Sequence, residues 1–556
     1  MTSPFTPSNL ARIVSTLVAI VLATGTVSAQ SGSWTVDASG LWSNTANWSA
    51  GIMASGTSNT ANFNTVNLTA DRTVSLDSAR TIGSIIFGDP TPGSAGGWTL
   101  DNNGNAANVL TLAVSSGNPT ITVNTLGTGK VATINAQIAG TQGFAKAGAG
   151  TLVLTSSNSY TGFTRVTAGT LVASDSSVYT GATGASSILG SNSGIVFSNN
   201  TTLDLRVNGN NNAGTQSIGF SNYLYTPTAG VNFTVNVDRQ SATGGTNKTI
   251  SLSSSTNLFA NGTNLNVTGS NGFNLYLAAV NIGTSTTSGS VTIAPTTANI
   301  TLGNVSNQGS TNAHTLILSG TSTGNAITGT IADTGVNGIL SIEKANSSTW
   351  TFTNANTYSG GTIITAGSLI LSGAGSLGSG DVTIGANGSL DISGITGGTF
   401  TLSSTQVLNG NGSVNATGKI LVANGTFNPG SSPGDFDVTG GFTLGGTSLS
   451  NFEIEGITSG LFDSLQVTGA LSLGGTLNLL TSYAFQLGDS VDILDWGTMT
   501  GTFGAITGTD LGGGLSWDTS NLYSTGVITV VPEPATWALI AIGGTLMMAT
   551  RRRRQN

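Results

Sequence analysis

Carboxylates supply most of the reactive groups in this 556-residue sequence, which holds 23 Asp and Glu, 15 Lys and Arg, one His and no Cys. Cleaving a glycosidic bond takes two carboxyl groups about 5–9.5 Å apart, and three pairs are candidates. Asp435 and Asp437 lie two apart and share one strand face, Glu453 and Glu455 do likewise, and Asp381 and Asp391 would meet if one turn of stacked strands separates them. The competing reading of all three is solvated carboxylates, or weak cation ligands, that keep an acidic surface in solution. His314, in Asn312-Ala313-His314-Thr315, is the one candidate base for a Ser-His-Asp triad, and no Gly-x-Ser-x-Gly elbow accompanies it. Lyase chemistry needs a base plus cationic or metal stabilisation of the charge that develops beside a uronate. Setting aside Arg12 and the four terminal arginines, ten basic residues remain, scattered from Arg72 to Lys419 with no cluster in sequence.

Composition narrows the field further. Charged residues make up 7% of the chain, against roughly 25% in an average soluble domain. Without Cys there is no disulfide frame, Cys-ligated zinc or iron–sulfur cluster, and one His excludes a multi-His metal site. Asp101-Asn102-Asn103-Gly104-Asn105 has the start of a calcium loop without its distal Glu, and reads as a plain turn. No cofactor is implied. The net charge of −8 leaves no electrostatic footprint for nucleic acid. With 38% hydrophobic residues the chain has enough apolar surface to bury a core. An uncharged all-β protein rich in Gly, Ser, Thr and Asn is the class that remains.

The body repeats itself. A shift of 198 residues lays Phe144–Leu171 over Ile342–Leu369, so that Lys146, Asn158, Tyr160, Gly162, Thr167, Gly169 and Leu171 recur as Lys344, Asn356, Tyr358, Gly360, Thr365, Gly367 and Leu369. Each unit reads as short strands cut by Gly and Asn turns. Strands this short cannot bury a face alone, but rungs stacked on one another can. Trp34, Trp42, Trp48 and Phe63, set among Gly, Ser and Asn, read either as a seal over the first rungs or as platforms for sugar rings. Residues 200–340 carry weaker strand signals, open between irregular rungs and an insertion. Asn428 to Gly434 reads as a rigid turn between sections, and residues after about 485 as a C-terminal cap. No stretch has the alternation and aromatic girdles of an outer-membrane barrel.

The ends read as addresses. Arg12 precedes the apolar run Ile13 to Ala23, and Val27-Ser28-Ala29 suits signal peptidase, with cleavage between Ala29 and Gln30. At the other end, Val531-Pro532-Glu533-Pro534 is followed by sixteen uncharged residues, Ala535 to Thr550, and then by Arg551, Arg552, Arg553 and Arg554. At about 1.5 Å per residue that run is roughly 24 Å of helix, slightly short of a bilayer core, with Trp537 and the arginines suited to the two interfaces.

Two resemblances follow from these residues. Pro532-Glu533-Pro534, the apolar run and the terminal arginines resemble the PEP-CTERM sorting signal of Gram-negative bacteria. That likeness implies processing by an exosortase, a transient inner-membrane anchor, and release to the cell surface or an exopolysaccharide matrix. Gly150-Thr151-Leu152, Asn158-Ser159-Tyr160-Thr161-Gly162 and Ala168-Gly169-Thr170-Leu171 resemble the autotransporter-associated β-strand repeat. The copy at 342–369 keeps all but the opening element, where Ser348-Thr349-Trp350 stands. This second likeness implies a right-handed parallel β-helix on a secreted surface protein.

The expected fold is therefore an all-β right-handed parallel β-helix with an N-terminal signal helix and a C-terminal single transmembrane helix. Its expected divisions are a signal peptide (1–29), an N-terminal cap with first strands (30–100), the solenoid (101–405), a C-terminal solenoid section and cap (406–530), and the sorting tail (531–556). The expected function is structural or adhesive, without catalysis, at the cell surface or in the biofilm matrix. Its partners would be the secretion machinery with signal peptidase, an exosortase-type enzyme, the membrane before processing, and exopolysaccharide. The alternative is a polysaccharide lyase or glycoside hydrolase on the same fold.

Overall fold

Apolar and polar residues alternate over short stretches, so each strand turns one set of side chains inward and the other out. The computed structural model describes residues 29–93, 96–191, 193–252, 256–283, 287–307, 311–334, 338–430 and 433–533. Within them one parallel pairing network runs from Gly32–Ser33 to Ala505–Thr507. Pairing partners lie from 19 residues apart (Thr151 with Thr170) to 36 apart (Ile85 with Ile121), which is one turn of a solenoid.

The stretch 200–340 continues the stack. Thr183–Ser186, Ser193–Phe197 and Thr201–Val207 form one turn, which is covered in order by Ser217–Phe220, Asn222–Thr226 and Asn232–Asp238. Thr249–Leu252, Asn257–Phe259 and Asn264–Gly269 cover those in turn. Inward residues align from rung to rung, so Leu203 meets Val235, and Val235 meets Val267, all fully buried. Burying such a side chain contributes about 1.5–3 kcal/mol, and the rungs repeat that gain along the whole axis.

Both ends depart from the parallel pattern. At the start, Gln30 bridges Ser55 and Trp34 bridges Trp48 in antiparallel fashion. Trp34, Trp42 and Trp48 pack on one another and on Phe63, with centroids 5.2–5.9 Å apart, and all four rings are buried. No ring face is left for a sugar, so the platform reading fails. At the other end, Ser490–Asp492, Val527–Pro532, Leu515–Asp518 and Asp510–Gly512 form a four-stranded antiparallel sheet.

The expectation of a solenoid ending in a transmembrane helix is corrected here. Among the described residues no helix is long and apolar enough to cross a membrane; the α-helix there is the single turn Leu522–Thr525. Val531 and Pro532 belong to a strand paired with Ser516 and Leu515, so the Pro-Glu-Pro element begins inside the folded sheet. The expected signal helix, and the run from Pro534 to Arg554, lie outside the described residues.

The two copies of the repeat reveal what their shared residues do. Lys146 and Lys344 are fully buried without a carboxylate partner. The Lys146 Nζ donates to the carbonyls of Gly148 and Ala168 (both 2.7 Å), and the Lys344 Nζ to those of Ala345, Asn346 and Ala366 (all 2.8 Å). Burial pulls both ammonium groups down to about 8, which still leaves them mostly charged at neutral pH. The Asn158 Oδ1 accepts from the Ile138 N–H (2.7 Å) and the Asn356 Oδ1 from that of Ile331 (2.8 Å). Tyr160 and Tyr358 each share a 2.7 Å hydrogen bond with a buried threonine four residues on, Thr164 and Thr362. Gly169 and Gly367 hold φ of 65° and 70°, and a Cβ on Gly367 would come within 2.6 Å of the Lys344 Nζ. The recurring residues thus satisfy turn carbonyls and amides that the stack would otherwise bury unpaired.

Lys344→Met keeps the alkyl arm and orphans three carbonyls. The expected cost is about 2–4 kcal/mol, read as a lower urea midpoint for residues 30–533. A midpoint equal to wild type would show that water solvates those carbonyls instead.

Candidate functional site

The carboxylate pairs that the hydrolase or lyase alternative would need do not assemble into one groove. Asp381 and Asp391 flank and occupy a single strand, Val382–Ile395, rather than meeting across a rung. The Asp381 Oδ1 accepts from the Val407 N–H (2.9 Å), while Asp391 accepts from Ser393 and from the Asn415 Nδ2 (2.9 Å). Asp435 and Asp437 do share an exposed strand face; Asp435 accepts from the Ser464 hydroxyl (2.6 Å). Asp437 stands in register between Ser413 and Gln466, and burial together with Asp435 raises its pKa. His314 is buried in Ala313–Leu318 with its Nδ1 3.1 Å from the Asn261 Oδ1, and burial lowers its pKa. Asp101 to Asn105 is a run of turns in which Asp101, Asn102 and Asn105 accept backbone N–H groups two residues on.

The ten basic residues of the body are each engaged separately. Arg72, Arg80, Lys130 and Arg206 pair with Asp37, Asp77, Asp71 and Asp204. Arg165 lies over Phe163, and Arg239 and Lys419 donate to backbone carbonyls. Lys248, buried like Lys146 and Lys344, donates to Asn210 and the Gly214 carbonyl.

A different array emerges on the outer face of the C-terminal rungs. Asn409, Asn428, Asn451 and Asn478 occupy the outward positions of four successive strands, each beside an inward neighbour such as Leu408, Phe427 or Leu477. Each amide donates to the one before it. The Asn428 Nδ2 reaches the Asn409 Oδ1 at 2.7 Å, Asn451 reaches Asn428 at 2.8 Å, and Asn478 reaches Asn451 at 3.0 Å. Thr507 closes the run by donating to the Asn478 Oδ1 at 2.9 Å. An amide offers two N–H groups and two lone pairs, and the ladder uses one of each.

Beside the ladder lies a cleft of about 320 Å³ lined by Asn409, Asn428, Pro429, Gly430, Asn451, Glu453, Asp463 and Leu480. Gly430 opens one end of it: it stands two residues after Asn428, and a Cβ there would strike the Asp463 Oδ1 at 2.0 Å. Asp463 is brought there by a hairpin, closed by the Ile454–Phe462 bridge, that returns the chain to Glu453. It is 1% exposed, with its two oxygens accepting from the Gly434 and Glu453 N–H groups, both at 2.8 Å. Burial, reinforced by the charges of Glu453 and Glu455, pushes its pKa up to about 7 against those hydrogen bonds.

Neither the ladder nor Asp463 was among the residues singled out from sequence. An Asn recurring beside apolar residues at 409, 428, 451 and 478 was the available signal, blurred by unequal spacing. Nothing local marks Asp463.

Residues 144–173 and 342–371 each match the passenger-associated-transport-repeat family, over roughly a tenth of the chain. No curated protein matches the sequence. Two such repeats on a parallel solenoid fit an exported, cell-surface passenger.

A carboxyl whose pKa is higher folded than unfolded favours the fold while protonated in both states. The contribution of Asp463 is therefore present below about pH 4 and lost as pH rises through about 7. Melting curves of wild type and Asp463→Asn across pH 4 to 8 are expected to differ in slope, with the wild type losing more stability over that window. Parallel curves would show that Asp463 ionises normally.

Proposed function

We propose that this chain is a cell-surface structural or adhesive solenoid that holds neutral polysaccharide through side-chain amides and hydroxyls, without catalysis. The asparagine ladder carries the reading. It repeats one uncharged donor and acceptor at every rung, about 4.8 Å apart, along a face where a linear polymer would meet the same group again and again. The separate engagement of the body's cations argues in the same direction, because it leaves no basic groove for an acidic polymer.

On this reading the ends serve export. Signal peptidase cuts between Ala29 and Gln30, and Pro532, Glu533 and Pro534 with Arg551 to Arg554 form the sorting signal that an exosortase-type enzyme processes. Mass spectrometry of the chain recovered from the cell surface is expected to find Gln30 at its start and no arginine tail. Recovery of Arg551 to Arg554 on the mature protein would remove the sorting role.

Affinity electrophoresis of residues 30–533 through dextran, galactomannan and alginate tests the adhesive part. Retardation by a neutral polymer should persist from about 0.1 to 1 M salt, over which the screening length falls from about 10 to 3 Å. Retardation by none would leave a scaffold role only. Release of reducing ends from any of the three would replace the proposal with the hydrolase or lyase reading.

A further inference from the structure

We infer that the cleft between Gly430 and Leu480 seats one sugar unit of a neutral glycan chain lying along the stacking axis, and that it excludes chains built from uronates. The inference rests on the adhesive reading and gives it a place and a selectivity.

Shape comes first. Two residues on from the ladder positions Asn428, Asn451 and Asn478, successive rungs carry Gly430, Glu453 and Leu480, so a rung without a side chain is followed by a carboxylate and then by an isobutyl group. The recess has a wall of amides from Asn409, Asn428 and Asn451, and an end stop in Leu480, which is 43% exposed. Its volume of about 320 Å³ falls at the small end of ligand sites, which run from about 300 to 1,000 Å³.

The chemistry matches a pyranose. Such a ring has an apolar C–H face and a rim of hydroxyls that donate and accept at once. Leu480 offers contact to the C–H face. Asn428 and Asn451 each retain one N–H and one lone pair outside the ladder, so a hydroxyl can both donate to and accept from the same amide.

Charge sets the selectivity. Glu453 and Asp463 line the cleft, and Glu455 is close enough to raise the Asp463 pKa. Among the described residues no Lys, Arg or His lines the recess. A uronate carboxylate entering there would meet like charge in a partly dehydrated site, which neutral hydroxyls do not.

The test uses residues 30–533 as wild type, Asn451→Ala, Leu480→Ser and, as a control on a distant polar ladder, Asn236→Ala, all checked for native circular dichroism and melting. Asn236 links Asp204 and Thr268 and is far along the axis from the cleft. Against the neutral polymer that retards wild type, Asn451→Ala and Leu480→Ser are each expected to weaken binding about tenfold, the worth of one good contact. Asn236→Ala should bind as wild type does, and alginate should not retard wild type at low salt. Cleft variants that bind as tightly as wild type, or alginate binding as strong as neutral binding, would overturn the inference while leaving the adhesive reading in place. A wild type retarded by no neutral polymer would overturn both.

Discussion

Parallel stacking in register sets every outward side chain about 4.8 Å above its counterpart one rung below, and that spacing decides which side chains the chain can carry. Two like charges so placed repel by roughly 0.9 kcal/mol in water and about 3.5 kcal/mol at an effective dielectric of 20. Columns of Asp or Lys would therefore accumulate strain at every turn. An amide faces no such cost, because it donates downward and accepts from above, as Asn409, Asn428, Asn451 and Asn478 do. A charged fraction of 7% is thus a consequence of the architecture before it is a statement about ligands. Where carboxylates do gather, at Asp463 with Glu453 and Glu455, burial of Asp463 first and the two neighbouring charges second make a carboxyl that resists ionisation.

The interior obeys a second form of the same constraint. Turns of unequal length must pass from strand to strand without leaving buried backbone groups unpaired. Lys146, Lys248 and Lys344 meet that need by pointing ammonium groups at carbonyls inside the stack, and Asn158, Asn222, Asn325 and Asn356 by bonding to turn backbone. The matched pairs of the two repeats show the device used twice with the same partners: the lysine on the residue before the glycine, the tyrosine on the threonine four residues later. The likeness at these positions records a solution to turn desolvation.

Legibility in the sequence followed the same division. The repeat could be read because Lys, Asn, Tyr and Gly recur at one fixed offset, and the all-β class because Gly, Ser, Thr and Asn displace charge. The stack through 200–340 was hidden by turns that vary in length, since partners 19 to 36 residues apart leave no period to detect. The ladder was hidden for the same reason. Asp463 was invisible because a hairpin, not a strand interval, returns it to Glu453. At the C-terminus, reading Val531 and Pro532 as the start of a tail overlooked that alternating Val527 to Val531 is itself a strand, which pairs with the residues around Trp517.

Chain order along the axis has a mechanical side. The first described strands lie at one end of the stack and the last at the other, and each turn touches only its neighbours. Tension applied between the two ends would load one turn at a time and peel it, in place of shearing many hydrogen bonds together. Each released turn of 19 to 36 residues could pay out roughly 60–130 Å of extended chain from a rise of about 4.8 Å. Such a molecule yields gradually under drag, lengthening many-fold before its last turn gives way.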